Sequence, residues 1–249
     1  MKKADLQEFL NKFYLGGVLT KDGPDWMAIP IQVESNVAKV ATKSGDGSLL
    51  SIIDYNLPIP DGEFVIGNTK QLLSILNAFD SDVQVELKKV GQKYVNVLNI
   101  SDENVSATVA LADPSQVDDR GSLKSEPSLD VTFPLKKDFV DRFTKAKKAL
   151  SDATMFAVIP DDMKNEIDFI VNHSPDNNVN TIKVIATGAT ITTEFEPLYF
   201  NVANAVAVFQ ENTEYREATV GFSAQGLMVV HFKGEDYEAK YYLKSYKRD

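Results

Sequence analysis

Apolar residues fall at helical spacing in four stretches of the chain, and in most of the rest they alternate with polar ones. From Lys2 to Tyr14, Leu6, Phe9, Leu10 and Phe13 recur at the three- and four-residue steps of a helix buried on one face. A second helix is predicted over Thr69 to Phe79, with Asn68 as its N-cap and Leu72, Leu73, Leu76 and Phe79 as its stripe. A third runs from Lys136 to Leu150, with Phe139, Val140, Phe143, Ala146 and Leu150 on one side and Lys137, Asp141, Lys145 and Lys148 on the other. The fourth, Asn201 to Gln210, reads either as a helix or as a buried strand, because the valines of NVANAVAVF favour extended backbone.

Between the helices lie alternating or β-branched runs. MAIPIQVE, LLSIIDYNLPI, VQVELKKV, KYVNVLNI and VSATVALA occupy the first half; MFAVIP, IDFIVNH, TIKVIAT, LYFN, ATVGFSA, LMVVHF and YEAKYYLKSY occupy the second. Gly, Asn, Asp and Pro separate them at short intervals, as an antiparallel meander requires. The first and third helices start 134 residues apart, and the second and fourth 132 apart. So nearly common an offset indicates a duplicated unit, although the two halves share little residue by residue. The expected fold class is α+β: two tandem similar domains of antiparallel sheet with two helices each. Residues 1–112 form the first domain and 131–249 the second, with the polar stretch 113–130 as the connector.

Composition narrows the function mostly by exclusion. The 249 residues include no cysteine, which removes thiol nucleophiles, thiolate metal sites and disulfides and fits a reducing compartment, with the cytoplasm as the default. No apolar run is long enough to span a membrane, and MKKADLQEFLNKF lacks the unbroken apolar region of a signal peptide. There is no phosphate-binding loop, and Gly45-Asp46-Gly47 reads as a turn. His173 and His231 sit at strand ends without metal-ligand spacing, and Asp161-Asp162 reads as a turn after Pro160 before it reads as a carboxylate pair for metal-assisted hydrolysis. No catalytic residue, metal or cofactor is expected.

Charge supplies the positive signal. The chain carries a net −10, yet Lys136 to Lys148 holds six Lys or Arg against two Asp. The four predicted helices together sum to +6 and everything else to −16. Cations concentrated on helices in an otherwise acidic molecule suit weak contact with a polyanionic backbone, without base reading. The residues alone leave two readings open, a DNA-holding scaffold and a phage structural protein of tail or capsid type whose helices only cover sheets.

Several strings carry a resemblance. Asn68 to Phe79 (NTKQLLSILNAF), Ala110 to Val117 (ALADPSQV), Phe200 to Val206 (FNVANAV) and Phe232 to Ser245 (FKGEDYEAKYYLKS), in this order with the helices and strands around them, resemble the sliding clamps of T-even-like tailed bacteriophages, the DNA polymerase processivity factors. The resemblance implies a ring-forming DNA-clamp fold: a homotrimer encircling duplex DNA, opened and closed by an ATP-driven clamp loader, tethering the replicative polymerase and residing in the host cytoplasm. By it, Lys3, Lys12, Lys70, Asn77, Lys137, Lys145, Lys148 and Asn204 would face DNA. Subunits would join through Val105, Ala107 and Val109 on one edge and Thr181, Lys183 and Ile185 on another, and a partner peptide would dock near Leu123, Tyr242 and Tyr246. Against the family pattern, the first half carries apparent insertions at Lys21 to Trp26 and Ala41 to Asp46, and the fourth helix has no positive charge.

Overall fold

The computed structural model describes residues 1–20, 28–117, 123, 125–174 and 178–246. It divides into two compact units, one of Met1–Ser122 with Asp236–Ala239 and one of Leu123–Glu235 with Lys240–Asp249.

The first unit contains α1 (Lys3–Tyr14), β1 (Ile29–Glu34), β2 (Val37–Lys43), β3 (Leu49–Asn56), β4 (Gly62–Ile66), α2 (Thr69–Leu76), β5 (Gln84–Lys88), β6 (Val97–Ser101) and β7 (Ser106–Ala110). Its strands form an antiparallel set in the order β3-β2-β1-β4 and a second in the order β5-β6-β7. Ser35 and Asn36, both at positive φ (54° and 65°), make the two-residue turn that matches strand twist between β1 and β2. The segment Ala41 to Asp46 is the end of a strand and a tight turn. Ala41–Lys43 continue β2, and the chain reverses at once because Asp46 accepts from the Ser44 hydroxyl (2.6 Å) and the Ser48 amide (2.9 Å) while Gly47 takes a φ of 68°. Lys21 to Trp26 lie outside the described residues.

Helix α2 starts where expected, the Asn68 side chain accepting from Gln71 N at 2.8 Å. It ends earlier than Phe79, because Asn77, Ala78 and Phe79 donate three residues back instead of four, a tightening common at helix ends. In α1 the apolar stripe is buried as predicted, with Phe9 edge-on to Phe13 (5.2 Å) and to Tyr55 of β3 (5.6 Å).

The second unit contains β8 (Val131–Pro134), α3 (Lys137–Ala149), β9 (Met155–Asp161), β10 (Glu166–Val171), β11 (Ile182–Thr187), β12 (Thr190–Ile191), β13 (Leu198–Asn201), α4 (Val202–Gln210), β14 (Glu217–Ser223), β15 (Leu227–Lys233) and the later part of β16 (Tyr237–Lys244). One strand set runs β12-β8-β14-β15-β16 and the other β11-β10-β9-β13. The core is a phenylalanine cluster: Phe139 lies 4.8 Å from Phe169, Phe143 lies 5.1 Å from Phe156, and Phe209 of α4 lies 5.7 Å from Phe143. The ambiguous fourth segment is a helix. Asn201 ends β13 and caps α4 by accepting from Asn204 N at 3.0 Å, which turns the chain and puts Val202, Ala205, Val208 and Phe209 on the buried face. In each unit the second helix is followed by a three-strand meander, β5–β7 or β14–β16.

Assigning Asp236–Ala239 to the first unit departs from the expected halves, and side-chain chemistry explains it. Tyr237 stacks on Tyr55 at 6.0 Å, the Lys12 ammonium sits 3.6 Å from the Tyr237 ring centroid, and Asn56 N donates to Asp236 O at 2.7 Å. Lys12 also pairs with Glu8 at 2.8 Å, and Glu8 accepts from the Tyr55 hydroxyl at 3.1 Å. Lys12→Ala is expected to destabilise the protein by about 2–4 kcal/mol, because it removes the partner of Glu8 together with a buried aliphatic stem. Lys12→Met, which keeps the stem, should lose less. Urea unfolding of the two variants measures this, and equal stability of wild type and Lys12→Ala would contradict it.

Candidate nucleic-acid interface

The described helices hold eight cations: two on α1, one on α2, five on α3 and none on α4. Three of them turn to partners within the protein and a fourth makes a surface ion pair. Lys12, expected to face DNA, is only 1% exposed and belongs to the Glu8–Tyr55–Tyr237 cluster, because its position on α1 borders the apolar stripe. Lys3 is half-buried and donates to the Phe79 carbonyl at 2.5 Å, where it satisfies a carbonyl at the end of the α2 turn. On α3, Arg142 pairs with Asp138 at 2.9 Å, and Lys147 folds back onto the carbonyls of Leu150 and Ser151 at the helix end.

Lys70, Lys137, Lys145 and Lys148 are exposed, as expected for DNA-facing residues. Asn77 is exposed too, as the C-cap of α2, with its side-chain oxygen accepting from Gln7 at 3.0 Å. Asn204 is a second correction. It is 7% exposed, because on α4 it lies one turn before Val208 on the buried side. The outward residues of α4 are Ala203, Val206, Ala207 and Gln210, which carry no charge. Near the start of α3, Lys137, Val140, Asp141, Phe209, Thr213 and Tyr215 line a hollow of about 160 Å³. Burial and the nearby Asp141 raise the Tyr215 phenol above its ordinary value, so it stays protonated and donates to Leu135 O at 3.3 Å.

Both strand edges named from the sequence are edges of their sheets. β7, with Ala107 and Val109 half-buried and Val105 just before it, is the last strand of β5-β6-β7; β11, with Lys183 and Ile185 and with Thr181 just before it, is the first of β11-β10-β9-β13. Beside β11 runs a groove of about 530 Å³ lined by Arg142, Lys145, Ala146, Ala149 and Ile182 to Ile185. Ile185 is 37% exposed there, and Lys183 pairs with Asp168 at 2.9 Å. Lys145 therefore borders this groove as well as the outward face of α3.

The connector is anchored to the second unit by contacts that the sequence does not announce. Glu126 accepts from Lys240 at 2.8 Å and from the Tyr242 hydroxyl at 3.1 Å. Leu129 packs over Gly221, where a Cβ would come within 2.5 Å of it, and Asp130 accepts from Ala224 N at 2.7 Å. Leu123 is half-buried, Tyr242 is buried with its hydroxyl engaged, and Tyr246 is 40% exposed, its amide donating to Tyr199 O at 2.8 Å. Asp161 ends β9 and Asp162 opens the β9–β10 turn, where Lys164 pairs with Asp161 at 2.6 Å. His173 lies 3.3 Å from the Tyr199 hydroxyl. Among the described residues no group of three or more His, Asp or Glu is placed to hold a metal ion, and no helix is long and apolar enough to cross a membrane.

No protein-family model and no curated protein matches the sequence. Solved structures do match the fold. Proliferating Cellular Nuclear Antigen (PCNA) from Entamoeba histolytica is similar at 14% identity and a TM-score of 0.71, over 99% of this chain and 97% of that one. A. fulgidus PCNA, solved with the C-terminal region of FEN-1 bound, is similar at 15% identity and a TM-score of 0.73, over 98% and 97%. PCNA from Thermococcus kodakaraensis is similar at 15% identity and 0.71, over 99% and 98%. The chain thus has the α+β clamp fold of PCNA along nearly its whole length.

The Lys240 ammonium, and with it the Tyr242 hydroxyl, holds the Glu126 carboxyl below the ordinary glutamate range. A lowered folded value means that the bond stabilises the connector above the unfolded value of about 4.3 and that this is lost as pH falls through the folded value. The side-chain carboxyl carbon resonance of Glu126 should titrate with a midpoint below that value, and Glu126→Gln should remove that titrating signal. A wild-type midpoint at or above the ordinary value would contradict the assignment.

Proposed function

We propose that this protein is a sliding clamp, of the kind carried by T-even-like tailed bacteriophages: a homotrimeric ring that encircles duplex DNA and tethers the replicative polymerase, with no catalysis of its own. The observation that carries the reading is the PCNA fold across 98–99% of the chain. The exposed lysines of α3 on an acidic chain support it. A duplex roughly 20 Å across carries its charge on the outside, so a closed ring needs no tight binding. Processivity then comes from topology, while Lys70, Lys137, Lys145 and Lys148 exchange phosphates as the ring moves. Lys12 and Asn204 are not part of this face.

The open edges of β7 and β11 favour head-to-tail pairing between copies, with Val105, Ala107 and Val109 meeting Thr181, Lys183 and Ile185. A heterologous contact of this kind uses up exposed strand edges when it closes into a ring. A. fulgidus PCNA binds the C-terminal region of FEN-1. By that likeness we assign a partner's tail peptide to the connector and last strand, around Leu123, Tyr242 and Tyr246. An ATP-driven loader would open the ring in the host cytoplasm.

Size-exclusion chromatography with light scattering is expected to give three chain masses. A monomer at micromolar concentration, or a large polymer as a tail or capsid protein would form, counts against the clamp. On a primed circular template with loader, polymerase and ATP, Lys137→Glu with Lys148→Glu should leave the trimer intact and impair loading or synthesis. Unchanged synthesis would exclude α3 from the DNA path.

A further inference from the structure

We infer that each subunit grips the DNA backbone almost entirely through α3 of its second unit, and that the first unit contributes a nearly uncharged surface. The inference rests on the clamp reading and says which residues of that surface carry the binding.

Counterion release requires an ammonium or guanidinium that can reach a phosphate, so cations engaged inside the protein do not count. In the first unit Lys12 is buried between Glu8 and the Tyr237 ring, and Lys3 is tied to the Phe79 carbonyl. Lys70 is left as the one described helix cation of that unit with no internal partner. Around it α2 exposes Gln71, Ser74 and Asn77; the Ser74 hydroxyl already donates to Lys70 O at 2.9 Å, and the Asn77 oxygen is taken by Gln7. Such amides can donate to phosphate oxygens, but they displace no counterions. In the second unit Lys137, Lys145 and Lys148 share the exposed outward face of α3 with Asp141, Lys137 lying 5.8 Å from the Tyr215 ring; Arg142 is held in a surface ion pair with Asp138, and Lys147 is turned to carbonyls. The outward face of α4 is neutral.

Three reachable cations against one give the two units different chemistry. The α3 contact is electrostatic and salt-dependent; the α2 contact is mostly neutral hydrogen bonding and salt-tolerant. A trimer built this way touches the duplex backbone strongly at three places, one per subunit, and only lightly at the other three.

The test uses the full chain and a short fluorescein-labelled blunt duplex of arbitrary sequence, with binding followed by fluorescence anisotropy over a series of salt concentrations. Removing one lysine–phosphate pair should flatten the plot of log K against log salt by about 0.9. Lys137→Gln, Lys145→Gln and Lys148→Gln together should remove most of the wild-type slope, and Lys70→Gln only a minor part of it. Lys3→Gln should leave the slope unchanged. Equal flattening by the α2 and α3 variants, or a clear flattening by Lys3→Gln, would overturn the inference while leaving the clamp reading intact. A wild-type protein that binds no duplex even at low salt would overturn the inference, while a mass other than three chains by light scattering would count against the clamp reading itself; the same measurement on each variant confirms that slopes are compared between proteins of the same assembly.

Discussion

Each helix in this protein must bury one face against a sheet, and everything it can offer a partner is what that burial leaves over. On α1 the stripe from Leu6 to Phe13 is covered by β2 and β3, and the covering extends to Lys12, because Tyr237 supplies an aromatic face and Glu8 a carboxylate to hold the ammonium. An isolated buried cation would be prohibitive; paired and placed over a ring it becomes a tie between α1 and the Asp236–Ala239 segment. A residue that would serve nucleic-acid binding on a solvent-facing helix serves cohesion here. The same covering on α4 takes Asn204 inward and leaves alanine and valine outside.

The strand edges follow from sheet closure in the same manner. Among the described residues β7 and β11 are the outermost strands of their sheets, and neither carries a proline. Lys183 on β11 is neutralised by Asp168 across the sheet. Edges of this kind are open to strand pairing, which is what the proposed ring would use. The connector has an equally specific basis. Glu126, Leu129 and Asp130 each meet a distinct feature of β14 to β16 or the turn between them, so the chain from Ser125 onward is held in one register on the second unit.

Much of this was legible in the order of residues. Period-3.6 stripes located the first three helices to within a few residues, because the burial of one face imposes that spacing, while the valines of the fourth segment left helix and strand both open until the Asn201 cap decided it. Alternation located most strands but not β2, β4, β8 or β12; the last three are only five, four and two residues long, too short to show a period. The separation between corresponding helices exposed the repeated layout. The exposed lysines of α3 were legible too, because they recur on the side opposite five large or apolar residues.

What only tertiary structure decided was which polar residues are free. Helical spacing places Lys12 at the margin of a stripe, and whether a margin residue is solvated depends on what strand lies beside it; here that is Tyr237, 225 positions away in the chain. Lys3 ends on the Phe79 carbonyl and Glu126 on Lys240 and Tyr242 for the same reason. Local periodicity is a property of neighbours in sequence, and it determined the elements, their order and their doubled layout. Partnering of charge is a property of neighbours in space, and it determined that Lys3, Lys12 and Lys147 are engaged within the protein, that Arg142 is held in a surface ion pair, and that the remaining helix cations lie mostly on one helix.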